Sequence, residues 1–501
     1  MHRRSFIRSI LLDKERGHND MTIDSFIKSV QDIMRQDAGV DGDAQRISQL
    51  VWMLFLKVYD AKEAEWELFE EDYKSIIPKD LRWRDWAEDE EGMTGDELLE
   101  FVNERLFKEL KDLTVDETTD KRALIVKSVF EDSYNYMKSG TLLRQVINKL
   151  NELDFEDYED RHAINDMYET ILRDLQSAGN AGEYYTPRVL TDFIIEMLNP
   201  QIGERIADFA CGTGGFLVSS LKHLEKQIDT VEDRRIVQSS LFGIEKKPLP
   251  HLLCMTNMLL HDIDSPDILR DNSLSTNVRD YTEKDKYDVV AMNPPFGGVE
   301  EDGILINFPT EFRTSETADL FMTLIMYRLK ETGRAGVILP DGFLFGDDKA
   351  KLAIKKKLLS EFNLHTIVRL PNGVFAPYTP IATNVLFLDK SKPTKKIDYY
   401  QVPLPEGLKN GFTKTRPLKT EHLQGVKDWW NNRDKEDKNA YTVTIEEIEK
   451  ANYNLDIKNP NNGSEEKEYS LNELLTIMRD KSDNIHRLLG ELSEALKGVE
   501  E

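Results

Sequence analysis

Cysteine is nearly absent: Cys211 and Cys254 are the only two in 501 residues. That excludes a disulfide framework and a cysteine-rich metal site. His162, His251, His261 and His365 do not fall at metal-ligand spacing either, so no metal is expected. No apolar run approaches the roughly 18 residues of a membrane span. Residues 1–20 carry Arg3, Arg4 and Arg8 but no secretory apolar core or small-residue cleavage site, and they read as a disordered extension. The chain also lacks the G-x-x-x-x-G-K-S/T phosphate loop, the G-x-G-x-x-G of dinucleotide enzymes, any nuclease or helicase motif and any internal repeat. Positive charge is scarce: 66 Lys and Arg stand against 92 Asp and Glu, a net charge of −26. Such a chain repels polyanions over most of its surface and stays soluble for the same reason.

At this length, the periodicities divide the chain into several regions. Residues 21–177 carry helical spacing, as in Ile47, Leu50, Val51, Leu54 and Val58, and again in Leu98, Leu99, Val102, Leu106 and Leu110. Glu88–Asp96 is an acidic loop, and Ser177–Gly182 is a small-residue hinge. Residues 178–400 alternate strands with helices. The strands are expected near Arg205–Phe209, Leu241–Glu245, Tyr287–Ala291, Ala335–Leu339, Leu364–Leu370 and Asn384–Leu388. The alternation predicts an α/β fold with a mostly parallel sheet covered on both faces. Residues 401–466 are polar and expected to be irregular, packing on the preceding domain. Residues 467–501 form a helix with Leu471, Leu474, Met478, Ile485, Leu488, Leu492 and Leu496 on one side, interrupted in pattern at Lys481 and Ser482. That helix either docks on its own domain or packs on a partner's helix.

Two loops carry the chemistry. In Tyr287–Gly298, YDVVAMNPPFGG, a strand runs into Asn293-Pro294-Pro295-Phe296. Two prolines remove two backbone donors and fix two φ angles, so the chain leaves the sheet in one rigid shape. Carbonyls before the prolines and the Asn293 side-chain oxygen are then available as acceptors, and Phe296 offers a flat face beside them. Acceptors plus a stacking surface suit a planar ring with an exocyclic amine, such as an extruded nucleobase. Ahead of it, Glu204–Leu217 reads strand, glycine turn, helix: an apolar run ends at Asp208, followed by Gly212, Thr213, Gly214 and Gly215. There the backbone approaches a ligand closely at a helix N-terminus. The next strand ends on Glu245, placed for ribose hydroxyls. Each piece alone fits an ordinary βα turn. All three in order within ~90 residues favour a cofactor site followed by a reactive loop.

With these motifs the chain resembles the modification (methyltransferase) subunits of type I restriction–modification systems, which methylate adenine N6 in DNA using S-adenosylmethionine. The family's G-Q-x-x-T-P-R run stands here as Gly182-Glu183-Tyr184-Tyr185-Thr186-Pro187-Arg188, and its D-P-x-C-G-T-G-G-F as Asp208 to Phe216. A later block, Pro371 to Phe375 through Tyr378 to Asn384, resembles the family's target-base loop. Glu183 replaces the usual glutamine and Phe209 the usual proline. The resemblance covers about Ile23 to the C-terminus. It implies a helical N-terminal domain, a Rossmann-like catalytic domain and a C-terminal helix for subunit docking.

The resemblance also implies site roles. Glu183 to Arg188, Asp208, Gly212 to Gly215, Glu245 and Asn272 would hold S-adenosylmethionine, with Asp271 the second candidate beside Asn272 and Arg188 serving either the cofactor or structure. Asn293, Pro294, Pro295 and Phe296 would act on the flipped adenine, with Phe375 or Tyr378 as a second wall. Cys211 would need an activating base to be a nucleophile, and none is indicated. The implied partners are a specificity subunit that reads DNA, a motor nuclease subunit, a second copy of this chain and double-stranded DNA, in the cytoplasm. The acidity agrees: DNA affinity would come from the partner. Methylation of an RNA base or a protein glutamine, and a non-catalytic scaffold role, are the alternatives. The helical N-terminal region and the Pro371–Asn384 block disfavour the first, and the intact Asn293 loop disfavours the second.

Overall fold

The computed structural model describes residues 23–115, 120, 122–153, 165, 168–172, 185–408, 410–433, 436–461 and 471–497. Glu183, Tyr184, the Ser177–Gly182 hinge and residues 1–20 lie outside them. The described residues fall in two compact units that divide between Ile457 and Lys458.

The first unit is built on a nine-stranded sheet of order β3-β2-β1-β4-β5-β7-β6-β8-β9. Its strands are β1 (Ile206–Asp208), β2 (Leu241–Ile244), β3 (Asp267–Leu269), β4 (Tyr287–Met292), β5 (Leu329–Pro340), β6 (Asn363–Arg369), β7 (Thr383–Asp389), β8 (Lys396–Gln401) and β9 (Ala440–Thr444). All six expected strands form. β3, β8 and β9 are additional. β3 has three residues and a single buried side chain, too short to leave a period in the sequence. The first five strands are parallel, whereas β7 runs antiparallel between β5 and β6, and β9 is antiparallel to β8.

Strand alternation sends side chains to two cores. Val289 and Ala291 of β4 join one, and Val290 and Met292 join the other. The first face is covered by α5 (Arg188–Leu198), α6 (Gly215–Glu225) and α8 (Pro248–Leu260), the second by α9 (Thr317–Arg328) and α10 (Lys349–Glu361). A further helix, α7 (Val231–Gln238), precedes β2. The core on the first face continues into the helical N-terminal region. That region includes α1 (Ile23–Met34), α2 (Asp43–Phe69), α3 (Arg122–Glu131) and α4 (Gly140–Leu150). Leu50 to Tyr59 of α2 are buried without a break, as in a helix enclosed on all sides. Lys62, at the end of that stretch, pairs with Asp262 just after α8. Arg144 of α4 ties down the start of the acidic segment, donating to the carbonyls of Met93 (2.8 Å), Ala87 (3.1 Å), Asp89 (3.2 Å) and Trp86 (3.3 Å).

Residues 401–457, expected to be irregular, contain β9 with α11 (Gln424–Asn431) and α12 (Ile445–Lys450). Tyr441 of β9 stacks on Tyr399 of β8 with ring centroids 4.9 Å apart. These contacts are between residues ~40 apart, so local pattern did not announce them. The second unit contains α13 (Leu471–Lys497), one continuous helix through Lys481 and Ser482. Leu474, Leu475, Met478, Ile485, Leu488 and Leu489 are exposed on it.

Strand order positions the site. β1 lies between β2 and β4 and is parallel to both, so the chain reverses its direction of travel across the sheet at β1. Such a switch point leaves a crevice at the carboxyl ends of the strands. The loops after β3, β2, β1 and β4 stand side by side there. The β6–β7 loop opens at the same edge, because two antiparallel pairings make β6 parallel to β5.

Candidate active site

A cavity of about 290 Å³ occupies this crevice. Of the residues singled out in the sequence, Thr186, Asp208, Gly212, Thr213, Gly215, Glu245, Asp271, Asn272, Asn293, Pro295 and Phe296 line it. Tyr185, Pro187, Arg188, Gly214, Pro294, Phe375 and Tyr378 are not among its lining residues.

The glycine loop is held at nearly every residue. Gly212 and Gly214 have φ of 54° and 80°, conformations that glycine adopts without a steric penalty. Glu245 at the end of β2 accepts from Gly212 N–H (3.0 Å) and Lys247 N–H (2.8 Å). With a further backbone donor at Lys246, the carboxylate keeps one acceptor site unused. Ser273 Oγ donates to the Phe209 carbonyl at 2.5 Å, and Asn257 Nδ2 donates to the Thr213 carbonyl at 2.9 Å. Sequence reasoning missed Asn257. It is one of three polar residues, with His251 and Thr256, in the mostly apolar run of α8.

Buried acids surround the loop. Asp208 is pushed up to about 8 by burial, against a hydrogen bond from Ala210 N–H, with Glu245 adding to the rise. Burial also raises Glu245, opposed by its backbone donors. Cys211 and Cys254 touch, with Sγ atoms 3.8 Å apart. That contact and burial push the Cys211 thiol well up, which leaves it a poor nucleophile. Among the described residues, no cluster of His, Cys, Asp and Glu could hold a metal ion.

Arg188 lies behind the loop. Its Nε donates to Glu169 Oε2 at 2.8 Å, and a Cβ on Gly215 would meet its guanidinium at 2.1 Å. Burial works against the Arg188 charge, but Glu169 holds its pKa above the ordinary value. The guanidinium also lies over the Tyr185 ring, 5.2 Å from its centroid.

The opposite wall is the Asn293 loop. Asn293 Nδ2 donates to Thr186 Oγ1 at 3.1 Å. Its Oδ1 is buried and has no partner. Phe296 is half-buried and meets Phe375 edge to face, with centroids 6.1 Å apart. Tyr378 N–H donates to the Phe375 carbonyl at 2.9 Å, closing a turn beside that ring. Past Phe296 the wall continues through Gly298, Val299 and Glu300 to Thr317 and Phe321 of α9. Glu300 Oε2 accepts from Asn272 Nδ2 (3.4 Å), while Asn272 Oδ1 accepts from Leu274 N–H (3.1 Å). Glu300, Thr317 and Phe321 were not anticipated, since only the β4–β5 crossover brings them to the crevice.

Residues 159–469 match the N-6 DNA methylase family, and residues 23–150 match the HsdM N-terminal domain family. Over 484 residues the chain is 53% identical to the methylase subunit of type I restriction enzyme EcoEI of Escherichia coli, covering 95% of this chain and 98% of that one. The EcoKI methylase subunit of Escherichia coli K12 is 30% identical over 405 residues, 75% and 70% of the two chains. A type I modification subunit crystal structure from Vibrio vulnificus YJ016 superposes with a TM-score of 0.79 at 44% identity, covering 88% of this chain and 96% of that one. A chain from a structure of type I restriction–modification complex assembly superposes with the same score at 38% identity, covering 94% and 97%.

Proposed function

We propose, from the premise that this chain belongs to the N-6 DNA methylase family and is an adenine-specific methylase of the type I restriction–modification class, that it methylates a flipped adenine using S-adenosylmethionine. The residues of the cavity fit that cofactor. Glu245 keeps an acceptor site for a ribose hydroxyl, and Asp271 and Asn272 offer polar groups to an adenine edge. The N-terminus of α6 favours a carboxylate. When bound, S-adenosylmethionine supplies a methyl group activated on a sulfonium.

The observation that carries the reading is the unpaired Asn293 Oδ1. A buried carbonyl without a donor costs about 1–3 kcal/mol, so an amine that reaches it gains a bond at a site already desolvated. Thr186 fixes the amide by taking its Nδ2 donor, which leaves the oxygen for the substrate. Asn293 Oδ1 and the Pro294 carbonyl accept from the adenine N6 amine and draw its lone pair out of conjugation. Phe296, backed by Phe375, stacks on the extruded ring, with Tyr378 at its margin. Bound there, S-adenosylmethionine would give its sulfonium methyl group to N6, and the surplus N6 proton would pass to water. No covalent enzyme intermediate is needed, in keeping with the inert Cys211.

The net charge of −26 opposes phosphate contact. Sequence-dependent DNA binding therefore belongs to the cytoplasmic complex with a specificity subunit, a second copy of this chain and the motor nuclease subunit. The exposed apolar face of α13 serves as the docking element for the specificity subunit.

Labelled-methyl transfer to duplex DNA in the presence of the specificity subunit tests the chemistry. Asn293→Ala is expected to lose transfer by on the order of 10²–10³-fold with calorimetric cofactor binding preserved, the scale for removing one polar group aimed at a reacting centre. Near-normal transfer would overturn the assignment. Deleting Leu471–Lys497 is expected to abolish co-purification with the specificity subunit while sparing cofactor binding. Full-yield co-purification would reject the docking role.

A further inference from the structure

Thr317, the first residue of α9, is 3% exposed, and its Oγ1 is the one buried hydroxyl without a hydrogen-bond partner among the described residues. Three other buried threonines use theirs. Thr256 donates to the Leu252 carbonyl, Thr323 to the Asp319 carbonyl and Thr394 to the Phe362 carbonyl. Thr317 does not cap its helix, since Glu316 holds that position. A buried hydroxyl with no bond is disfavoured against the isosteric valine, and β-branching gives no helix advantage in return. Packing therefore gives no reason for a hydroxyl here.

Its surroundings supply one. Thr317 lines the cavity and is fixed there, with its N–H donating to the Gly298 carbonyl at 3.2 Å. A Cβ on Gly298 would lie 2.6 Å from Oγ1, so glycine at 298 leaves that oxygen its space. Val299 bridges to Glu316, and Glu300 reaches Asn272 and Lys246 (3.4 and 3.5 Å). This stretch of wall is thereby tied to the loops that follow β2 and β3.

We propose that the Thr317 hydroxyl is a hydrogen-bonding contact for the cofactor, which adds a ligand on α9 to those on the β1, β2 and β3 loops. The inference rests on the reading of the cavity as an S-adenosylmethionine site. Full-length Thr317→Val, Thr317→Ser and, as a control for the cavity, Glu245→Gln would be titrated calorimetrically with S-adenosylmethionine and S-adenosylhomocysteine, and their thermal midpoints measured without ligand. Thr317→Val is expected to bind both ligands about tenfold more weakly, the scale of one lost hydrogen bond, with a thermal midpoint equal to or above that of the wild type. Thr317→Ser should stay close to wild type. In transfer assays Thr317→Val should raise KM for the cofactor and leave kcat unchanged. Wild-type affinity in Thr317→Val, with Glu245→Gln weakened, overturns this inference alone. A lowered midpoint in Thr317→Val shows a structural hydroxyl and overturns it too. A fall in kcat at unchanged affinity moves Thr317 to the base side, which also refutes it. If wild type binds neither ligand, the reading of the cavity falls and takes the inference with it.

Discussion

The two loops that face each other across the cavity are built in opposite ways. The glycine loop is bonded along most of its backbone, largely to neighbouring elements. Ala210, Cys211, Gly212 and Gly214 donate their N–H groups to Asp208, Ile244, Glu245 and Cys211, and the Phe209 and Thr213 carbonyls accept from Ser273 and Asn257. The Asn293 loop keeps valences open. Two of its residues are prolines with no N–H, Asn293 Oδ1 is unpaired, and so is Thr317 Oγ1 beside Gly298. A loop braced at this many points holds a fixed shape and suits a cofactor that returns in the same pose every cycle. A loop with unpaired acceptors is destabilised until a donor arrives, so its interactions are directed at the reacting group.

The contrast is broken most severely at Gly214. Its φ of 80° disfavours any side chain, and a Cβ there would lie 2.9 Å from Cys254 Sγ. Gly297, in the other loop, has φ of 70° but nothing within 4 Å of an added Cβ. Gly214→Val is expected to destabilise the fold by about 3–5 kcal/mol and to eliminate measurable cofactor binding, because strain and overpacking add. Gly297→Val should cost about 1–2 kcal/mol from backbone strain alone. Urea unfolding with calorimetric titration would check both. Equal losses at the two positions would mean that the loops do not differ in packing.

Much of this was legible in the sequence, and the limits were physical. β4 and the Asn293 loop were legible because an apolar alternation runs directly into two prolines, and the glycine loop because Asp208 precedes three glycines and an apolar helix. Glu245 was legible as an acid closing a short apolar run. The bonds that immobilise the glycine loop were not. Asn257 lies 44 residues from Thr213, and Ser273 lies 64 from Phe209. Nothing local marks Asn257 as an anchor rather than a tolerated polar residue. Thr317 was hidden for the same reason, since its unpaired state exists only once Gly298 is packed against it. Arg188 shows how a motif can blur roles: the T-P-R run places it by the cavity, but only Glu169 and Gly215 reveal that it faces backward.

The smallest expected effect sharpens the contrast through pH. Asp208 sits at the start of the glycine loop with its pKa raised to about 8 by burial, whereas an aspartate in the unfolded chain titrates near ~3.9. Between those values the folded state holds a proton that the unfolded state has released. The unfolding free energy must then fall as pH rises through this window and level off above the folded pKa. Glu245, also raised, adds the same sign. His261, lowered to about 4 by burial, has the opposite sign, but its contribution is confined largely to pH below ~6.5, where an unfolded histidine binds a proton. From pH 6.5 to 8 Asp208 therefore dominates near the loop. Asp208→Asn keeps an oxygen acceptor for Ala210 N–H and removes the titration. Wild type should lose stability relative to Asp208→Asn by on the order of 1–2 kcal/mol across pH 6.5 to 8, measured by urea unfolding at fixed ionic strength. Parallel curves for the two proteins would show that Asp208 is ionised throughout, and that the glycine loop sits over a carboxylate rather than a protonated acid.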